Sequence, residues 1–365
     1  MHDNGHYDGH DTQDEQYAQA RPSVQLQPLS PEEALDLHLN RMGEDHTEST
    51  VRSHKSRLQY FIQWCGQEDI DNLNDLSGRD ILRYRNWRKK QNGKFEGDIA
   101  RSTLKTALDT LRVYLKTAAK ADGVHPKLPH QIDPPTLSKD ENSRDVMLEH
   151  ERATTILDHL RKYEYASFDH LVLELLYHTG MRRGSALALD IDDYDRRDQF
   201  LMLNHRPETD TALKNGKDGE RPVALSTDMC RVLDDWIEDK RPDVTDEHGR
   251  EPILATQHGR AHKTTLQTAI YSVTRPCTYT GECPHGEDIE TCDAAIRKND
   301  ASQCPSSVST HAVRRGALTH WLDSDWTVED VSGRADVSPQ VLDEHYDRRS
   351  DIRKMEQRRK NLDKL

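Results

Sequence analysis

The sequence predicts a mainly α-helical protein of two domains, the second holding a small β-sheet (an α+β domain). Three observations carry this. Apolar residues recur at helical spacing through much of residues 30–121. A polar stretch bearing four prolines, 122–145, interrupts that pattern. Beyond it, short apolar runs flank the turn-forming Asn215-Gly216-Lys217-Asp218-Gly219, and further helical patterns surround them. The length of 365 residues also suits two domains.

Residues 1–27 are polar and acidic and read as a disordered arm. Within it, His2, His6 and His10 fit a solvated tail better than a metal site. The first helix starts at Ser30-Pro31-Glu32-Glu33, with a capping serine, proline at the first helical position and acids in the first turn. Further helices are expected over 49–65, 77–92 and 100–121. In the last, Leu104, Ala107, Leu108, Leu111, Leu115 and Ala118 form one stripe, and Arg101, Lys105, Arg112, Lys116 and Lys120 lie beside it. The 77–92 segment adds Arg83, Arg85, Arg88 and Lys89 around Tyr84 and Trp87. Residues 28–121 thus form a helical domain, and 122–145 a semi-extended linker. The second domain, 146–350, opens with helices, among them an apolar core helix over 168–178. Strands are expected at 200–203, 211–213 and 221–225, the last two as a hairpin around the 215–219 tip. Ser226 caps a helix running to about Lys240, and helices return after Ser309. A tail, 351–365, is rich in Arg and Lys.

No run of about 20 apolar residues occurs, which excludes a membrane-spanning helix. The first fourteen residues lack the apolar stretch of a signal peptide, so a cytoplasmic location is expected. The net charge of −14 argues against a nucleic-acid partner. Its distribution reverses that argument: residues 1–45 carry −8, 46–121 carry +6 and 122–365 carry −12. A locally positive helical domain inside an acidic protein suits a DNA backbone. The acidity comes from 42 Asp and 23 Glu against 33 Arg and 18 Lys. Such an Asp-rich, Lys-poor surface is expected of a protein working in dense salt, where counter-ions screen carboxylate repulsion.

The chemistry concentrates in six residues. They are Arg182 in Thr-Gly-Met-Arg, Lys214 beside the hairpin tip, His311 and Arg314 in His-Ala-Val-Arg, Arg334 after Gly333, and Tyr346 in Glu-His-Tyr-Asp. Two guanidinium forks can clamp one phosphate and stabilise its developing charge. A tyrosine can attack phosphorus and form a covalent ester. A lysine can protonate the leaving oxygen. His311 lies one helical turn from Arg314 and shares its face.

In this ordered set the sequence resembles the tyrosine recombinase (phage integrase) family, Xer-like and of haloarchaeal type. The resemblance covers about residues 30–350. It implies a SAM-like helical core-binding domain, a catalytic domain, and site-specific recombination or integration through a 3′-phosphotyrosine, with no metal required. It implies double-stranded DNA as partner and other protomers of the same chain, in a tetramer on paired sites, and no membrane. Tyr346 would be the nucleophile and Arg182, Lys214, His311, Arg314 and Arg334 its cationic surroundings, with Lys217 the other choice for the proton donor. Arg83, Arg85, Arg88, Lys89, Arg101, Lys105, Arg112 and Lys116 would meet the DNA backbone. Alternatives of the same fold are a DNA-binding regulator impaired in catalysis and a type IB topoisomerase-like relaxing enzyme.

Three departures from the family pattern stand out. Arg334 occupies a position where His or Trp is usual. The interval from there to Tyr346 is longer by about one helical turn, and His345 beside the nucleophile offers itself as a substitute. Ser185 stands where many members carry an acid, which removes a supporting contact. Separately, Cys277, Cys283, Cys292 and Cys304, with His285 nearby, read as ligands of a structural Zn²⁺ in the insertion 276–305.

Overall fold

In the computed structural model, residues 25–93, 97–138, 146–347 and four tail positions (Ile352, Met355, Glu356 and Arg359) are described. The expected N-terminal arm lies almost wholly outside them, as does most of the basic tail. The chain divides into two compact units, 1–144 and 145–365.

The first unit is built on four helices: α1 (Pro31–Asp45), α2 (Glu48–Gln67), α3 (Gly78–Lys89) and α4 (Arg101–Lys120). Ser30 caps α1 as expected, its hydroxyl accepting from the Glu33 amide at 3.1 Å. The predicted stripe of α4 is buried, and Phe61, Trp64, Tyr84 and Tyr114 pack edge-on or tilted into it. The expected linker is in large part no linker. Val124, Leu128 and Ile132 are buried in this same core, and a 3-10 turn at Leu128–Gln131 packs against α4. Apolar residues spaced among the prolines gave this stretch a face to bury.

The second unit begins with α5 (His150–Tyr163), α6 (Phe168–Thr179) and α7 (Arg183–Ala188). A three-stranded antiparallel sheet follows, in the order β1 (Tyr194–Asp195), β2 (Phe200–Leu203), β3 (Arg221–Ala224). Then come α8 (Thr227–Asp235), continued by a π-helical turn to Lys240, and a two-stranded ribbon of β4 (Ala255–Thr256) and β5 (Gly259–Arg260). Helix α9 (Lys263–Val273) precedes the cysteine-bearing segment with α10 (Pro276–Thr280) and α11 (Asp293–Ile296). The chain ends its described part with α12 (Thr310–Asp323), α13 (Val328–Ala335) and α14 (Pro339–His345).

One strand pairing differs from expectation. Arg221–Ala224 pairs with Phe200–Leu203, Leu201 facing Val223, and not with 211–213, where only an Arg206–Thr211 bridge forms. Arg206 is the cause: its guanidinium is held by Asp193 at 2.5 Å, which folds 204–211 back on itself.

Helices α6 and α12 pack together at the centre of this unit. Two glycines permit close approaches to α12. Gly180 ends α6 at φ +58°, and a Cβ there would stand 2.6 Å from Trp321. A Cβ on Gly316 would lie 1.9 Å from the Leu148 carbonyl, so only glycine lets the entering chain cross α12.

Candidate functional site

The site is assembled at the ends of elements. Arg182 is the N-cap residue of α7, directly after the Gly180 turn. Arg314 lies on the buried face of α12, and its Nη1 donates to the carbonyls of Gly180 (2.7 Å) and Ala335 (2.8 Å). Those carbonyls end α6 and α13, so one guanidinium ties three helices together. Burial pulls the Arg314 pKa down to about 10, with Arg182 adding to the effect, while the nearby Tyr346 opposes it. Arg314 therefore stays charged at neutral pH.

Tyr346 follows α14, and its ring is buried at 5 % exposure. The Arg315 guanidinium sits 5.9 Å from the ring centre, and Thr319 donates to the Tyr346 carbonyl at 3.2 Å. His311 is exposed in the first turn of α12, which Ser309 caps. Desolvation lowers its pKa, and Arg315, Arg314, Lys214 and Arg182 lower it further, so the ring is neutral near pH 7. His311 therefore lies within electrostatic reach of Arg182, Lys214 and Arg314, and Arg314 within that of Tyr346. Lys214 is among the cations that act on His311.

Arg334 does not join them. Its Nη1 donates to the Ala224 carbonyl at 2.9 Å and its Nη2 to the His178 carbonyl at 3.1 Å. Its guanidinium lies 5.3 Å from the Trp321 ring centre and 5.9 Å from that of Trp326. The expected catalytic placement of Arg334 is thus corrected: both terminal nitrogens of its fork are engaged by carbonyls, and its plane lies by two indoles, while its buried Nε has no hydrogen-bond partner. His345, the other choice at this end, has its Nε2 3.9 Å from Glu344.

Sequence reasoning missed Asp336. It takes a left-handed backbone (φ 53°) after α13. Its carboxylate accepts from Arg182 at 2.5 Å and from the Asn215 side chain at 2.7 Å, with Arg221 at 3.9 Å. Asp336 therefore supplies Arg182 with the acid that Ser185 lacks, and it docks the Lys214 loop beside it. Its signal in the sequence was an acid two residues beyond Arg334, in a segment weighed only for that arginine.

The proposed DNA-facing residues of the first unit divide. Arg88 is buried, over the Tyr60 ring at 3.9 Å and donating to Gln91 O at 2.8 Å. Arg85, Arg101 and Arg112 donate to the carbonyls of Asp133 (3.0 Å), Thr136 (3.0 Å) and Ile132 (2.6 Å). These bonds hold the 132–136 chain, a structural role that the sequence reading did not foresee for them. Arg83, Lys89, Lys105 and Lys116 remain outward, the first three beside Asp80, Asp98 and Asp109.

Two family models match the chain. Phage integrase family covers residues 146–336, and the phage integrase N-terminal SAM-like domain covers 40–122. The chain belongs to the phage integrase family. Tyrosine recombinase XerC 2 of Ralstonia nicotianae is 25% identical to this family member over 235 residues, 61% of the chain and 64% of that protein. Among solved structures, the Tn1549 transposon integrase in complex with a circular intermediate DNA is similar at TM-score 0.61 and 14% identity, over 89% of this chain and 98% of that one. A lambda integrase dimer bound to a COC′ core site gives TM-score 0.60 and 13% identity, over 89% and 80%. These likenesses fix the fold: a SAM-like helical domain followed by an integrase catalytic domain. Among the described residues, no helix is long and apolar enough to cross a membrane.

Proposed function

We propose that this integrase-family chain is a site-specific recombinase that cuts and rejoins double-stranded DNA through a 3′-phosphotyrosine on Tyr346. The observation that carries the reading is Arg314, fixed by two helix-end carbonyls within electrostatic reach of both Arg182 and Tyr346. A phosphate entering there meets two guanidinium groups already in place, which is the preorganisation that stabilises charge developing on phosphoryl oxygens. The Tyr346 oxygen–phosphorus bond forms as the phosphorus–O5′ bond breaks. Lys214 gives the departing O5′ its proton, and the neutral imidazole of His311 receives the tyrosyl proton. A 5′-hydroxyl from another strand reverses the step, and exchange between paired duplexes in a tetramer gives recombination. A cytoplasmic location accords with a DNA substrate.

The first unit meets the DNA backbone through Lys89, Lys105, Lys116 and Arg83. The acidic remainder is the surface of a salt-adapted, haloarchaeal protein. The test is trapping on a nicked suicide duplex. The wild type should give a covalent protein–DNA adduct, Tyr346→Phe none. Absence of an adduct on the cognate site would falsify the enzymatic reading.

A further inference from the structure

Segment 276–305, between α9 and α12, has almost no core. Its fully buried apolar residues are Ala294 and Ala301, with Tyr279 partly buried against the main core, which is little to order thirty residues. Two arginines fasten it, one to its interior and one across its ends. Arg275, buried, donates to the carbonyls of Ala294 and, at 2.7 Å, Ala295. Arg152 donates to the carbonyls of Thr274 and, at 2.6 Å, Ser306. Between these anchors, Cys277, Cys283, Cys292 and Cys304 are all free thiols of intermediate exposure, and all four line one cavity of about 380 Å³. His285 lines it too, but its Nε2 is engaged with the Ser306 hydroxyl at 3.0 Å.

We propose that this cavity is a structural zinc site with Cys277, Cys283, Cys292 and Cys304 as its ligands. Four thiolates meet the demand of Zn²⁺ for a closed, soft, tetrahedral shell, which leaves no open position for catalysis. The sulfurs surround the cavity without yet meeting. Among the described residues the one trio of metal-capable side chains with ligand atoms within 4.8 Å is the exposed Asp210, Glu247 and His248, elsewhere in the fold. Zinc–sulfur bonds of about 2.3 Å place the sulfurs about 3.8 Å apart, so binding draws the segment inward. Gly281 and Gly286, both at positive φ, are the joints for that movement. The metal would stand in for the missing apolar core. Cys304 lies seven residues before His311, so a closed segment braces the start of α12.

The test needs no DNA. The full chain, purified under reducing conditions, should carry about one zinc per molecule by elemental mass spectrometry. Replacement by Co²⁺ should give the absorption bands of tetrahedral thiolate coordination. Cys283→Ser with Cys292→Ser should abolish stoichiometric zinc, and His285→Ala should retain it. Should the double variant fail to fold, the wild type still decides: zinc must protect the four thiols from alkylation, and a chelator must expose them, as mapped on peptides. Zinc-free protein with four reactive thiols, disulfides among these cysteines, or zinc retained by the double variant would each overturn the proposal.

Discussion

Asp336, Arg182 and Asn215 form a junction that decides how the site stands before DNA arrives. A charge-assisted hydrogen bond contributes about 1.5–3 kcal/mol, so Asp336→Asn should slow single-turnover cleavage by about tenfold or more. The circular dichroism spectrum should stay unchanged, and a rate equal to wild type would remove Asp336 from the site. Arg334 should behave in the opposite way. Arg334→Ala strips donors from the carbonyls of Ala224 and His178 and a stacking plane from Trp321. Stability should fall by about 1–3 kcal/mol in denaturant titration, while the folded fraction keeps its cleavage rate. The identities of Arg182, Arg314 and Tyr346 were legible because their motifs are local. The turning away of Arg334 was not, since it depends on Trp326 and two carbonyls from distant segments.

At the scale of elements, α4 serves two masters. Its inner stripe fills the core, and Arg112 on its flank holds Ile132 O, closing the 124–132 stretch over the helix. Lys116 on the same helix stands exposed. These two should separate in experiment. Arg112→Ala should lower the melting temperature of the first unit. Lys116→Ala should leave melting unchanged, weaken binding uniformly across sequences and reduce the salt slope by about 1. A Lys116→Ala protein with wild-type salt dependence would take that helix out of the interface. The sheet teaches a similar lesson. Local turn chemistry at 215–219 suggested a tight hairpin, yet β3 chose β2, because Asp193 captures Arg206 and diverts the intervening chain.

Across the whole molecule, buried histidines set an acid limit. His38 in the first unit and His178 in the second are both held down to about 4, chiefly by desolvation, with His54 and Arg334 respectively adding to it. Each needs its neutral ring: His38 bonds Thr117 and His54 at 3.1 Å, and His178 accepts from the Ser226 amide at 3.1 Å. An unfolded histidine binds its proton near pH 6.5, and the folded one only near pH 4. The unfolded state therefore takes up more protons between those values, and stability is lost as pH falls from about 6.5 towards 4. Melting curves over pH 4–8 should show both units weakening in that window; a flat profile would contradict it. Salt should act differently on surface and interior. Raising KCl should stabilise the chain, with its charge of −14, by screening carboxylate repulsion. The partly buried network of Arg206, Arg250 and Arg260 with Asp190, Asp193 and Asp246 is screened much less and should persist.

By itself the sequence determined what short-range physics can fix. Helix caps, the stripes of α1 to α4, the apolar α6 and the motifs around Arg182, Arg314 and Tyr346 all follow from residues within a few positions of one another. Tertiary structure decided every matter in which distant groups compete for one partner. It spent Arg334 on carbonyls and indoles, and Arg85, Arg101 and Arg112 on the 132–136 backbone. It gave Arg182 an acid from beyond α13 and sent β3 to β2. A guanidinium offers five donors to any acceptor within reach, and no local rule says which acceptor the fold will bring there.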